Sequence, residues 1–209
     1  MASTNNEIIT DVATYYGERI AEHGQTAAGV DWNSQEGQIT RFSQLLKLVD
    51  PSKPYSIADI GCGYGALLDY LSELGHTTRY VGVDVSAAMI DAARSRHSSN
   101  SEAEFKHGTL PEQNVDYSVA SGIFNVRLNK SEDEWLPYVL QTIDAMHSVS
   151  DLGFAFNCLT SYSDLDRKRP DLYYANPLEI FDLCKRRFSP HVALYHDYRL
   201  YEFTIIVRR

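Results

Sequence analysis

The sequence predicts an α/β fold: an open, mostly parallel sheet with helices on both faces, preceded by a helical extension and closed by an antiparallel hairpin. Three observations predict it. Short apolar runs alternate with stretches of helical period through the middle of the chain, a glycine-rich turn separates the first such run from its helix, and the chain ends on two apolar runs with no helix between them. A length of 209 residues suffices for one full core and is short for two, so 1–209 reads as a single domain. Within it, 1–50 reads as a helical lid and 51–209 as the core.

Ile8, Val12, Tyr15, Tyr16 and Ile20 fall near helical spacing, which predicts an amphipathic helix from about Asn6 to Ala21, stopped at His23-Gly24. Asp31-Trp32-Asn33-Ser34 supplies cap-type residues for a second helix with Ile39, Phe42, Leu45, Leu46 and Val49 on one face, broken at Asp50-Pro51. Tyr55 to Asp59 is the first strand, and Leu67, Leu68, Leu71 and Leu74 mark the helix beyond the glycines. Tyr80 to Val83 is the second strand, ending at Asp84, and Ser86 caps a helix carrying Met89, Ile90 and Ala93.

A weak strand at Glu104 to Lys106 and a stronger one at Tyr117 to Ala120 follow. Next come a helix with the stripe Leu136, Val139, Leu140, Ile143 and Met146, and a buried strand from Leu152 to Phe156. Asn176-Pro177-Leu178-Glu179 is a helix start with cap, first-turn proline and acid. His191 to Tyr195 and Leu200 to Val207 are the hairpin strands. Right-handed crossovers then place a binding site at the carboxyl ends of the parallel strands, where their order reverses.

Composition narrows the function. With 19 basic and 28 acidic residues the formal charge is −9, which repels a phosphate backbone, so nucleic acid is not an expected partner. Cys62, Cys158 and Cys184 are odd in number and form no Cys-x-x-Cys pair, which predicts free thiols, no metal site and a reducing compartment. The stretch Met1 to Glu7 lacks the parts of a secretory leader, and no apolar run approaches membrane-spanning length. The expectation is a cytoplasmic protein with no membrane partner, a homodimer being the one assembly kept open.

The turn from Ile57 to Gly65 reads IADIGCGYG. Glycines at 61, 63 and 65 between strand and helix leave backbone N–H groups open to a close ligand. Dinucleotide folds place a similar pattern here, so the glycines alone leave the cofactor open. Asp59, two positions before the first of them, would repel a pyrophosphate and attract an ammonium or sulfonium.

Asp59, Gly61, Gly63 and Gly65, with Asp84 closing the second strand, Leu110-Pro111 and the terminal hairpin, resemble the class I S-adenosylmethionine-dependent methyltransferases over about residues 55 to 207. The resemblance implies a Rossmann-like sheet with S-adenosyl-L-methionine as cofactor, S-adenosyl-L-homocysteine as product and in-line methyl transfer to a small-molecule acceptor. It implies that Asp59 faces the amino-acid end, that Gly61, Cys62, Gly63 and Gly65 receive the ribosyl-methionine part, and that Asp84 holds both ribose hydroxyls, beside Val85 and Met89. Capping of the next helix is the other role open to Asp84. His107-Gly108-Thr109-Leu110 replaces the family's acid after the third strand, which leaves Thr109 or a backbone carbonyl for adenine.

Ser121 to Asn125 lies where relatives place the transfer centre, with Phe124 and Asn125 facing the sulfonium and the Asn125 amide oxygen able to accept from the acceptor or the cofactor ammonium. Core packing and turn formation are the alternatives for those two. Beyond the fifth strand, Asn157, Thr160, Ser161 and Tyr162, with Asp164 and Arg167-Lys168-Arg169, form a polar loop able to grip an anionic acceptor, with Tyr173 and Tyr174 alongside. The lid contributes Tyr15, Tyr16, His23, Trp32 and Arg41: Arg41 for the methionine carboxylate, His23 as a base, Tyr16 near the chemistry. An ion pair for Arg41 and a packing stripe for Tyr15 and Tyr16 are the alternatives. A nicotinamide-dependent oxidoreductase would need a hydride site such as Tyr-x-x-x-Lys, absent from the sequence. A non-catalytic adenosylmethionine-binding partner protein is the third reading.

Overall fold

The structure, a computed structural model, describes residues 2–209. Met1 and the side chains of residues 2 to 4 lie outside the described residues, as does the part of the leader-peptide expectation that rests on them. The strands are β1 (Tyr55–Ile60), β2 (Thr78–Asp84), β3 (Ala103–His107), β4 (Val115–Ala120), β5 (Ser150–Leu159), β6 (His191–Tyr195) and β7 (Glu202–Arg208). The helices are α1 (Ala2–His23), α2 (Gln35–Leu45), α3 (Ala66–Glu73), α4 (Ala87–Arg96), α5 (Glu132–Val149) and α6 (Pro177–Arg187).

These strands form one sheet in the order β3-β2-β1-β4-β5-β7-β6. Neighbours are parallel except for β7, which runs antiparallel to both β5 and β6. Chain order therefore reverses between β1 and β4, where Ile60 pairs with Ala120. The turns after those two strands open side by side at the carboxyl edge, and this places the site. Both faces of the sheet are covered: Ile8, Phe124, Trp135 and Phe156 belong to the core on one face, and Phe42, Leu45, Leu67 and Tyr80 to the core on the other.

Local chemistry starts the helices where the sequence predicts. The Ser34 hydroxyl accepts from Gly37 N at 3.1 Å, Ser86 from Met89 N at 3.4 Å, and the Asn176 side chain from Leu178 N at 3.0 Å with Pro177 in the first turn. α1 is longer than expected at both ends. α5 begins with a capping box of Ser131 and Glu134, and its buried face is Trp135, Val139, Ile143 and Met146. Leu136 is at the surface instead, because Trp135 turns inward and donates its ring N–H to the Phe124 carbonyl at 2.9 Å.

A short 3-10 turn, Ala28–Val30, joins α1 to α2. It is pinned by Arg19, whose guanidinium donates to the Ala28 carbonyl at 3.1 Å and pairs with Asp31 at 2.9 Å. Among the described residues no helix is long and apolar enough to cross a membrane.

Candidate active site

A cavity opens at the reversal point. Its floor is made by Asp59, Gly61, Cys62 and Gly63 at the end of β1, Asp84, Val85 and Met89 after β2, Thr109 and Leu110 after β3, and Ser121 to Ile123 after β4. Its roof is Tyr16 of α1 with Val30, Trp32, Gln38 and Phe42, and one wall is Tyr138, Gln141, Thr142 and Ala145 of α5.

Gly63 has φ +54, and a Cβ there would stand 2.9 Å from the Val30 side chain in the roof. The turn and the roof thus approach as closely as backbone allows. Gly65 serves a different end. It has φ +85, and its Cβ would come within 2.8 Å of His97 Nε2 and 3.2 Å of Phe105, so the missing side chain makes room for the residue that ends α4 and for β3. Gly65 does not line the cavity, and the space its missing side chain leaves is taken by packing.

Asp84 is buried and receives two backbone N–H groups, from Gly63 to Oδ2 at 2.9 Å and from Ser86 to Oδ1 at 2.8 Å. Each oxygen retains a second lone pair for a ligand hydroxyl. Ser86, not Asp84, caps α4. Burial raises the Asp84 carboxyl above its ordinary value and the two N–H bonds pull it back. Asp59 accepts from the Tyr80 hydroxyl at 2.6 Å. Burial pushes its carboxyl up to about 7, the Tyr80 bond opposing and the Asp84 charge adding. A cation arriving beside Asp59 would draw it to the ionised form.

Of the residues the sequence nominates, Tyr16, Trp32, Asp59, Gly61, Cys62, Gly63, Asp84, Val85, Met89, Thr109, Leu110 and Ser121 line this cavity. The others sit elsewhere. Phe124 is fully buried, edge-on to Phe156 at 5.6 Å, and the Asn125 side chain accepts from Leu159 N at 3.0 Å, so both turn into the protein. Asn157 supports the turn instead, its carbonyl oxygen accepting from Gly122 N at 2.7 Å. Arg41 makes a bidentate pair with Glu202 at 2.8 and 2.7 Å and lies 3.8 Å over the Trp32 ring, which removes it from the methionine carboxylate.

His23 stands at the far end of α1, 2.9 Å from Arg19, and does not reach the cavity. Tyr15 packs edge-on to Tyr16 beside Asp31. Tyr162 is 64% exposed, Tyr173 is buried in the core, and Arg169 pairs with Asp171 at 2.5 Å. The polar loop after β5 thus spends its cations on itself, with Lys168 donating to the Ser161 carbonyl at 2.9 Å.

Sequence reasoning missed the α5 wall and the α1 residues Asn5, Ile9 and Val12 that face it. Tyr138, Gln141, Thr142 and Ala145 fall at the spacing of one helical stripe, adjacent to the apolar stripe that was read. That second stripe is the signal that was available. The Asn5 side-chain amide donates to the Gln141 carbonyl oxygen across the gap.

Residues 57–145 match the family described as "Methyltransferase domain". Rv1506c of Mycobacterium tuberculosis (strain ATCC 25618 / H37Rv), whose name classes it as a methyltransferase, is 53% identical over 164 residues, 78% of this chain and 99% of that protein. The 18S rRNA (guanine-N(7))-methyltransferase of Bos taurus is 34% identical over 101 residues, 47% of this chain and 33% of that protein. A solved DhpI-SAM-HEP complex has the same fold, with a TM-score of 0.68 at 15% identity over 97% of each chain. With a relative this similar along nearly its whole length, and with the acid-glycine turn and Asp84 assembled at the reversal point of this sheet, the chain belongs to the class I S-adenosylmethionine-dependent methyltransferases.

Proposed function

We propose that the protein transfers the methyl group of S-adenosylmethionine to a small-molecule acceptor bound beneath its N-terminal helix. The observation that carries this reading is the roof. Trp32 packs so closely on the turn after β4 that a Cβ on Gly122 would stand 2.2 Å from its ring, and α1 continues the cover to Asn5. A nucleic-acid strand would have to lift this roof, whereas a compact acceptor fits under it.

When bound, the cofactor supplies an activated methyl group, and the electron pair of the broken C–S bond stays on sulfur. The chain supplies position and dryness. Asp84 offers its free lone pairs to the ribose hydroxyls, Asp59 meets the ammonium end, and Thr109 and Leu110 stand at the adenine side. In this reading the whole chain is one catalytic domain with its first fifty residues as lid. The buried free thiols Cys62, Cys158 and Cys184 support a cytoplasmic setting.

Calorimetry with S-adenosylhomocysteine and with NAD tests the site. Saturable binding of the former alone is expected, and conversion of labelled adenosylmethionine in an acceptor screen then reports turnover. Preferential labelling of RNA over small acceptors would refute the small-molecule part.

A further inference from the structure

We infer that the acceptor, taken by the site proposed above, is an uncharged nitrogen nucleophile on a largely apolar or aromatic body, such as an arylamine or a ring nitrogen. Three observations lead there. The first is charge. Among the described residues lining the cavity, the charged side chains are Asp59 and Asp84, both acidic. Of the basic side chains around it, Arg41 is held by Glu202, Arg19 by Asp31, Arg169 by Asp171 and Lys130 by Asp11, while the His107 ring lies outside the lining with Nε2 2.9 Å from the Val85 carbonyl oxygen. A carboxylate or phosphate acceptor would find no counter-charge among the protein's side chains, would lie in the same cavity as two carboxylates, and would leave its hydration behind.

Proton demand is the second. An alcohol, phenol or thiol must lose its proton as it attacks, so it needs a base at the transfer point. Burial holds the Tyr16 hydroxyl and the Cys62 thiol in their neutral forms and pushes the Tyr138 hydroxyl up to about 12. In the reading above Asp59 and Asp84 are committed to the ammonium and ribose ends of the cofactor, away from the transfer point, and His23 is out of reach. A neutral nitrogen attacks with its own lone pair and needs no base beforehand.

The third is the shape of the acceptor side. Ile9 and Val12 of α1 face Tyr138 and Ala145 of α5, an apolar slot closed at its mouth by the Asn5 and Gln141 amides. Flat apolar rings suit the slot, and the amides suit an uncharged polar edge.

The step balances. The nitrogen lone pair forms the N–C bond, the C–S bond breaks with its pair going to sulfur, and the positive charge passes from sulfur to nitrogen. Where nitrogen carried a hydrogen, that proton leaves to water afterwards. Net charge in the cavity is unchanged, so an enclosed, acidic-floored site has no new charge to solvate.

The test uses the full chain loaded with S-adenosylhomocysteine and three bicyclic probes: 6-aminoquinoline, 2-naphthoate and 2-naphthol. Calorimetry should show 6-aminoquinoline binding about tenfold or more tighter than 2-naphthoate, the size of effect expected when a charge enters unpaired. With deuterium-labelled adenosylmethionine, mass spectrometry should find the label on nitrogen. The variant Gln141→Lys, placed at the exposed mouth, should narrow the gap by admitting 2-naphthoate. Equal binding of 2-naphthoate, label on its carboxylate or on the naphthol oxygen, or no binding by any of the three, would each overturn the inference. Failure of S-adenosylhomocysteine itself to bind would instead overturn the cofactor site on which it rests.

Discussion

Two backbone N–H groups converge on Asp84, and that convergence makes the side chain both a ligand contact and a brace for the turn. Asp84→Ala removes the hydroxyl acceptors and also orphans the Gly63 and Ser86 N–H groups. Cofactor affinity is expected to fall by more than about 1 kcal/mol in calorimetry, with a lower melting temperature in the free protein. Asp84→Asn keeps one acceptor and should fall between the two. The glycines separate the same way. Gly63→Val forces a side chain into φ +54 against Val30, so it should cost about 1 to 2 kcal/mol of stability as well as abolish binding. Gly65→Val collides with His97 instead of the cavity. It should lose stability, read by urea unfolding, while its folded fraction still binds S-adenosylhomocysteine.

Between elements, the decisive contact is the one from α2 to β7. Glu202 is 1% exposed, Arg41 answers it with two hydrogen bonds from the edge of its guanidinium, and the flat of that group covers Trp32, so the start of β7 fixes the roof through one arginine. Breaking this pair with Glu202→Gln strands a nearly buried cation and should destabilise the fold by about 3 kcal/mol, whereas Arg41→Met with Glu202→Leu should recover much of that loss. A double-mutant cycle in urea measures the coupling, and Trp32 fluorescence, read in a Trp135→Phe background, reports whether the roof has moved. The sequence offers an ion pair as one role for Arg41 but does not name its partner, because the two lie 161 positions apart and an arginine in a helix looks the same whether paired or free. By contrast, the β1 turn, the Ser34, Ser86 and Asn176 caps and the terminal hairpin were legible, since each is written within a few neighbouring residues. Phe124 and Asn125 were misread for a geometric reason. Gly122 at φ +77 bends the chain back after β4, so Ile123 faces the cavity and the next two residues face inward.

At the scale of the whole molecule, the acidic cavity links stability, ligand binding and pH. Asp59 has its carboxyl pushed up to about 7, so between about pH 4 and pH 7 it holds a proton in the folded chain that it releases in the unfolded one, and Asp84 is raised in the same direction. Their contribution to stability is fully present below the unfolded carboxylate range and is lost as pH rises through the folded value. For Asp59 the slope approaches about 1.4 kcal/mol per pH unit inside that window. His76 and His147, lowered by burial, oppose this at the upper end of the same window, because their contribution is lost as pH falls below the ordinary histidine range. Asp50, Glu134 and Asp171 are lowered and lose their contribution only under more acidic conditions. Subtracting the Asp59→Asn profile from that of the parent isolates the cavity carboxylate: urea unfolding from pH 5 to pH 8 should show the parent losing stability relative to the variant as pH rises. Binding runs the other way, since a cationic cofactor selects the ionised carboxylate and must displace its proton. Adenosylmethionine affinity should therefore climb through about pH 7 in the parent and stay level in Asp59→Asn, with proton release visible as a buffer-dependent binding enthalpy. A parent protein whose affinity is flat across that range would mean that Asp59 does not sense the cofactor's charge.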